Sequence, residues 1–421
     1  MKILLCHTYY LQRGGEDCCY EEERDYLRAH GHSVIEYVRH NGEMTRMGPL
    51  SAAATTIWSR RAAREIAALI DDERPDVLHC TNAFPTISPA ACYVAHRRGV
   101  PVVQALQNYR WLCANGYLMR SGGPCEQCVK RPLPLAAVRH RCYRNSFAAT
   151  AAVVAMQAVH HRFGRYASKV DAFFAPTQFA RQRFIEGGFP PERTHVKWNF
   201  VSRDAGVGRG DGGYVMFAGR LSPEKGVATL LEAWRRDPAL PRLVIAGDGP
   251  LADAVRTAAL QDGRIDWRGA VPLGEVQKLM GAAAAVVMPS VWYETFGRTI
   301  VEALSCGTPV VASRLGAMAE LVEDGRTGVH FAPASADDLA SKVRAIVALP
   351  ADRLAHLRRA ARSAYESRFT AAANYQRLME IYDLAAAHTH KRRRPTHDWR
   401  PPPAPQSGHA AANPEFVLMD A

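Results

Sequence analysis

Short apolar runs alternate with amphipathic stretches of helical period along almost the whole chain, and the alternation starts twice. In the first series the expected strands are Lys2–Cys6, Val34–Val38, Val77–Cys80, Val102–Leu106, Ala172–Ala175 and His195–Trp198. Helical stretches such as Glu16–His30, Arg60–Asp72 and Thr177–Gly187 lie between them. Strands separated by helices pair in parallel, because a crossover back to the same edge of a sheet needs a dozen or so residues and a helix fills that length. The segment NFVSRDAGVGRGDGG, 199–213, lacks apolar periodicity and reads as a linker. The pattern then resumes with YVMFAG, a helix near Val227–Arg236, LVIAG, a helix near Leu251–Gln261 and AAVVMPS. A chain of 421 residues exceeds one ordinary core. The expected class is therefore α/β with two Rossmann-like domains, and the cleft between them is the expected ligand site.

The two ends of the chain read differently. MKILLCHTYY is too poor in apolar residues for a secretory signal and fits a first strand. No apolar run approaches the length that spans a bilayer, so a cytoplasmic location is expected. Ten cysteines in that compartment argue against a disulfide framework. The tail HKRRRPTHDWRPPPAPQSGHAAANPEF is basic and proline-rich with few aliphatic residues, and is expected to be disordered from 389 to 421. The net charge of +12 resides mostly in the body. It suits an anionic partner, whether nucleotide, acidic lipid or nucleic acid, and equally a solvated basic surface.

The stretch SVWYETFGRTIVEALSCGTPVVAS, 290–313, places Glu294 and Glu302 around the start of a helix. A helix N-terminus near Phe296, Gly297 and Arg298 offers unpaired N–H groups and a positive dipole end, which together favour a phosphate. Carboxylates on either side of it suit the hydroxyls of a sugar or ribose. The same two residues also read as a helix-surface charge and an N-terminal charge favourable to the dipole. AGRLSPEKG, 218–226, follows a strand and projects Arg220 and Lys225, a pair able to neutralise a diphosphate leaving group. LQRGGEDCC puts Gly14 and Gly15 between the first strand and a helix, which fits a phosphate-approach loop or a plain turn; it lacks the G-x-G-x-x-G of a dinucleotide site. No D-x-D occurs, so a metal-bridged diphosphate is not expected.

GRLSPEKG, AGDGPL at 246–251, ETFGRTIVE with its Glu-x7-Glu spacing, and ALSCGTPVVAS together resemble the retaining glycosyltransferases of family four, which have the GT-B fold. GGED, HCTNAFPTISP, QNYRWLCANG and VKWNFV are similar to one branch of that family. The resemblance covers roughly residues 1 to 375. It implies an N-terminal acceptor domain (1–200, with a cysteine-bearing insert about 107–146), a C-terminal donor domain (201–370) and a last helix (371–388) that returns to the first domain. It implies that Arg220 and Lys225 hold the donor diphosphate and that Glu294 binds donor-sugar hydroxyls. Glu302 would bind the ribose diol, Phe296 and Gly297 would meet the phosphates, and RGAV ending at Val271 would lie along the base. Gly15 would let the N-terminal loop close over the diphosphate, and Asn82, Gln107 and Asn108 would face the acceptor. Related sequences often carry His-Asn where this one has Gln107-Asn108. A glutamine can hydrogen-bond there but cannot carry a proton. His79, at a strand end, reads as a satisfied structural histidine.

Cys113, Cys125, Cys128 and Cys142 have the spacing C-x11-C-x2-C-x13-C, compatible with a structural zinc or with reduced thiols packed in an irregular insert. No cofactor is expected for catalysis. The function implied is sugar transfer, with retention, from a UDP- or GDP-linked donor to a lipid-linked or polysaccharide acceptor in cell-envelope or exopolysaccharide synthesis. It could occur on the inner face of an anionic membrane, with same-face attack preferred to Glu294 as a covalent nucleophile. The alternatives are a catalytically silent nucleotide-binding scaffold and a zinc-containing nucleic-acid-binding protein. An epimerase or phosphorylase fits the Glu-x7-Glu segment less well, and nucleic-acid binding leaves both glutamates unexplained.

Overall fold

The computed structural model describes residues 1–131, 133–163 and 165–393. Its strands are β1 (Lys2–Tyr9), β2 (Ser33–His40), β3 (Val77–Asn82), β4 (Val102–Ala105), β5 (Met119–Arg120), β6 (Gly123–Pro124), β7 (Ala172–Ala175), β8 (Thr194–Val196), β9 (Tyr214–Ala218), β10 (Arg242–Ala246), β11 (Ile265–Trp267), β12 (Ala285–Met288), β13 (Val310–Ser313) and β14 (Gly328–Phe331). Two six-stranded sheets result, ordered β2-β1-β3-β4-β7-β8 and β11-β10-β9-β12-β13-β14, with β5 and β6 a separate ribbon. Every pair within the two large sheets is parallel. Continuous apolar runs such as VVM in β12 and VVA in β13 are buried throughout, as a sheet covered on both faces requires. Both domains thus have the architecture expected from the alternation.

Three features depart from expectation. The linker is docked: the N–H groups of Gly208, Gly210 and Gly212 donate to the carbonyls of Cys306, Gly281 and Ala282. A Cβ at Gly208 would stand 2.2 Å from the Gly281 backbone, so close packing explains that glycine. The helix after Phe147 runs to Gln157 and then widens to a π-turn, 158–163. The last helix, Ala371–Arg393, is longer than 371–388. The disordered tail assigned from 389 is corrected for Thr389–Arg393, which are helical; the remainder of that assignment lies outside the described residues.

That last helix returns to the first domain. Leu378, Ile381, Tyr382 and Ala385 share an apolar cluster with Ile3, Leu27, Val103 and Phe174. Beneath it lies a buried polar network. Lys197 Nζ meets Glu23 Oε2 at 2.5 Å, His79 Nδ1 pairs with the Tyr382 hydroxyl at 2.8 Å, and the same nitrogen is 3.4 Å from Glu23 Oε1. His79 Nε2 has no partner. Burial holds the His79 pKa down at about 4, outweighing the Glu23 carboxylate that acts to raise it. The unfolded imidazole titrates near 6.5. As pH falls below that value the unfolded chain gains a proton that the fold refuses, so stability is lost progressively from about pH 6.5 to about pH 4. Urea midpoints measured at about pH 7 and about pH 5 should show this loss, and His79→Gln should reduce the difference.

Candidate functional site

The loop after β9 turns through Pro223–Lys225 and enters the helix Val227–Arg236. Gly226 takes φ +72° at that junction, and a Cβ on it would sit 1.9 Å from the Pro289 carbonyl oxygen. The loops after β9 and β12 therefore touch here, which only glycine permits. That contact brings a cation of one loop to a carboxylate of the other: Lys225 Nζ lies 2.6 Å from Glu294 Oε1. The Ser290 hydroxyl donates to the same oxygen at 2.8 Å. Glu294 is buried, so its charge is held by these two partners.

The helix Arg298–Ser305 begins after Gly297, at φ +88°. Arg298 donates to Glu302 at 2.8 Å, one turn along. It also crosses to the first domain, donating to both oxygens of Glu22 at 2.6 and 2.7 Å. Arg220, from the loop after β9, likewise crosses to Gln12 at 2.9 Å. A third tie runs the other way: Glu320 of the second domain accepts from the backbone N–H groups of Gln178 and Phe179, at 2.9 and 2.7 Å. Those groups open the helix Gln178–Glu186, where a carboxylate is favourable. Four expected donor-site side chains, Arg220, Lys225, Glu294 and Glu302, thus lie on two touching loops and one helix, of which the loop after β9 and the helix reach across to the first domain. Phe296 is buried, and Val271 packs against the same apolar cluster.

On the facing side Gly14 caps the helix Gly15–Ala29. Asp17 accepts from the Gly14 N–H at 2.9 Å and meets His7 Nε2 at 2.9 Å, fixing the loop from beneath. A Cβ at Gly15 would meet open space, which leaves room for a ligand to approach. We therefore expect Gly15→Ala to leave the urea midpoint unchanged while raising the KM for the donor several-fold. The carboxyl of Glu16 is held by Asn108 Nδ2, 3.0 Å from each oxygen, and by the Tyr10 hydroxyl at 3.1 Å. Burial pushes its pKa up to about 7 despite those bonds, which act to lower it.

The residues expected on the acceptor side come together. Asn82, Gln107 and Asn108 line one cavity of about 470 Å³, open to solvent. Gln107 and Asn199 exchange both amide bonds at 2.9 Å, so the Gln107 amide is already engaged. Asn82 donates to the Thr8 carbonyl and accepts from the Phe84 N–H, a loop-shaping role. The four cysteines of the expected zinc set lie near one another, but as placed no three His, Cys, Asp or Glu side chains among the described residues are grouped to hold a metal ion. Cys113 instead bonds to Asn115 Oδ1 at 3.0 Å, and Cys128 and Cys142 pack into the apolar cluster of the insert. Burial, with Cys113, Cys125 and Cys142 nearby, pushes the Cys128 thiol up to about 12. His79 is buried as expected, with only one nitrogen satisfied.

Sequence reading missed Gln12, Glu16, Asp17 and Glu22. The acids of GGED stand beside the glycines and were legible as part of that motif. Glu22 was not, because YEEER reads as a solvated helix face and its partner Arg298 is 276 residues away.

Comparison with known proteins accords with this geometry. The model described as "Glycosyl transferase 4-like domain" matches residues 19–199, and "Glycosyl transferases group 1" matches residues 202–364. An alpha-maltose-1-phosphate synthase of Mycolicibacterium smegmatis is 35% identical over 191 residues, 41% of this chain and 48% of the relative; the match therefore spans about half the length of that relative. An uncharacterized glycosyltransferase of Methanocaldococcus jannaschii is 26% identical over 74% of this chain and 77% of its own. Among solved structures, sucrose-phosphate synthase from Thermosynechococcus elongatus aligns with a TM-score of 0.65 at 16% identity, over 92% of this chain and 99% of that one. Anabaena HepE in complex with UDP aligns with a TM-score of 0.62 at 19% identity, over 91% of this chain and 100% of that one. These likenesses show the GT-B fold. With both domain models matched in order, and the Lys225–Glu294 and Arg298–Glu302 pairs gathered where the sheets end, the chain belongs to the group 1 glycosyltransferases of family four.

Proposed function

We propose that the chain transfers a sugar from a UDP- or GDP-linked donor to a lipid-linked or saccharide acceptor, with retention and without a catalytic metal. The observation that carries this reading is the contact of Lys225 with Glu294 at 2.6 Å, beside a helix whose first turn holds Arg298 against Glu302. The likeness to Anabaena HepE, solved in complex with UDP-glucose, supports a UDP-sugar as the first donor to test. The diphosphate takes the N-terminal end of the helix Arg298–Ser305, with Arg220 and Lys225 as counter-charges that gain strength as the leaving group develops its charge. Glu302 accepts from ribose hydroxyls and Glu294 from the sugar. The bond from the anomeric carbon to the phosphate oxygen breaks as the acceptor oxygen attacks the same face. The departing phosphate oxygen takes the acceptor proton. Glu294 suits a binding role better than a nucleophilic one, since Lys225 and Ser290 already bond the same oxygen. Proton NMR of sugar freshly released from UDP-glucose tests retention: the α-anomer should appear first, and a β-first product would overturn it.

The place of the reaction is proposed to be an anionic membrane surface. From Gln127 to Val170 the sequence contains no Asp or Glu, while Lys130, Arg131, Arg139, Arg141 and Arg144 cluster in its first half. Leu133, Leu135 and Phe147 are exposed among them. Among the described residues no helix is long and apolar enough to cross a membrane. Co-sedimentation with phosphatidylglycerol vesicles, lost in high salt and absent with phosphatidylcholine, is the expected result. A second reading, a silent scaffold that binds nucleotide without turnover, is favoured by the engagement of Gln107 with Asn199. Release of UDP from UDP-glucose above the uncatalysed rate would dismiss it.

A further inference from the structure

One cation near the cleft is not accounted for by the donor. Arg110 follows β4, and its guanidinium lies 4.5 Å from the ring centre of Phe84 and 5.0 Å from that of Tyr143. It donates to the Ala114 carbonyl. Its Nε is buried with no hydrogen-bond partner. The neighbouring carboxylate, Glu16, is bonded by Asn108 and Tyr10 instead, and among the described residues no carboxylate forms an ion pair with Arg110. A buried donor left unmatched is costly; Arg110 is also close enough to Glu16 to act against the burial that raises that carboxyl's pKa.

The same residue lines the cavity of about 470 Å³ that also holds Gln107 and Asn108. No Asp or Glu lines that cavity. Phe84, Trp111 and Met156 give it an apolar wall, and Ser88 adds a hydroxyl. A guanidinium is a planar fork suited to phosphate or carboxylate, and two aromatic faces pre-orient this one. An anion entering here finds a guanidinium and, among the described residues, no carboxylate on the wall. A neutral sugar would not balance that charge.

We propose that this cavity is the acceptor subsite and that Arg110 recognises an anionic group of the acceptor, a phosphate or a carboxylate, placed beside the apolar wall of Phe84, Trp111 and Met156. The proposal rests on the glycosyltransferase reading for the word acceptor, but its binding chemistry can be measured alone.

The test is calorimetric titration of the full chain with hexyl phosphate, heptanoate and hexanol, each with and without UDP. The two anions should bind at least tenfold more tightly than hexanol. Arg110→Gln should remove that preference, Arg110→Lys should keep part of it, and the UDP-induced thermal shift should persist in both variants. Preference for hexyl phosphate over heptanoate identifies a phosphate-bearing acceptor; the reverse identifies a sugar acid. Equal binding of hexanol and the anions by the unaltered protein overturns the proposal, and so does an anion preference that survives Arg110→Gln. If Arg110→Gln fails to fold, the ligand comparison on the unaltered protein and on Arg110→Lys still decides. Arg110-dependent anion binding without any effect of UDP, GDP or ADP would mean that the donor reading has failed while the cavity assignment stands.

Discussion

Lys225→Ala should lower turnover of the nucleotide-sugar by about 10²–10³-fold, the usual cost of removing one preorganised charge or donor that serves the transition state. The structure gives Lys225 two roles, and they predict different behaviour. As partner of the buried Glu294 it stabilises the fold, so the single variant leaves a carboxylate with Ser290 as its remaining side-chain partner. As counter-charge to the diphosphate it acts on the reaction alone. The double variant Lys225→Ala, Glu294→Gln separates the two. Its stability should recover toward that of the unaltered protein, because no unpaired charge remains buried. Its turnover should not recover. A loss of turnover smaller than tenfold in Lys225→Ala, or recovery of activity in the double variant, would mean that the pair is a structural bridge and that the leaving group is stabilised elsewhere.

Gly226→Ala should destabilise the fold by at least ~2 kcal/mol, read as a fall in the urea midpoint at unchanged slope. Two independent causes act together. The residue adopts φ +72°, and its Cβ would stand 1.9 Å from a backbone oxygen of the loop after β12. Backbone on both sides prevents the relaxation that a flexible side chain would offer. Activity should fall as well, since this contact sets Lys225 against Glu294. The comparison with Gly15→Ala is informative because open space surrounds Gly15; there the effect should fall on donor KM and not on stability. Equal stability losses in the two variants would contradict the distinction between a packing glycine and a ligand-approach glycine.

Much of the fold was legible because periodicity reports burial. Runs such as AFFA in β7 and VVM in β12 are apolar at every position and flanked by amphipathic stretches, so strand, helix and parallel pairing followed from local pattern. The positions of the expected donor residues were legible for a related reason. Arg220, Lys225, Glu294 and Glu302 all lie within a few residues of a strand end or a helix start, and the chemistry proposed for them rests on that position and on the family resemblance. What could not be inferred was any contact between segments distant in the chain. Glu22 looks like one of several surface acids until Arg298 is seen against it. Lys197 reads as one residue of the expected strand His195–Trp198 until Glu23 and Asn374 are seen to enclose it. Gln12 has no motif at all and acquires meaning only from Arg220.

The cysteines show a different limit. Spacing brings four thiols into one insert, but a metal site needs their sulfur atoms to converge, and backbone spacing does not specify side-chain direction. In the structure Cys113 bonds to Asn115, and Cys128 and Cys142 pack among the apolar residues of the insert. Arg110 is the converse case: the basic insert hid an arginine that lies over two aromatic rings and lines a cavity. Nothing in NYRWL marks it, and its partners Phe84 and Tyr143 are far away in sequence.

The central claim is that Glu302 and its helix bind a nucleotide in the cleft, and thermal unfolding in the presence of UDP, GDP and ADP tests it most directly. A ligand that binds only the folded state raises the melting temperature by mass action. One nucleotide class should stabilise the unaltered protein, and Glu302→Ala should abolish that shift while unfolding at nearly the same temperature without ligand. If no nucleotide stabilises the unaltered protein, or if Glu302→Ala retains the full shift, the donor site is not where these residues place it.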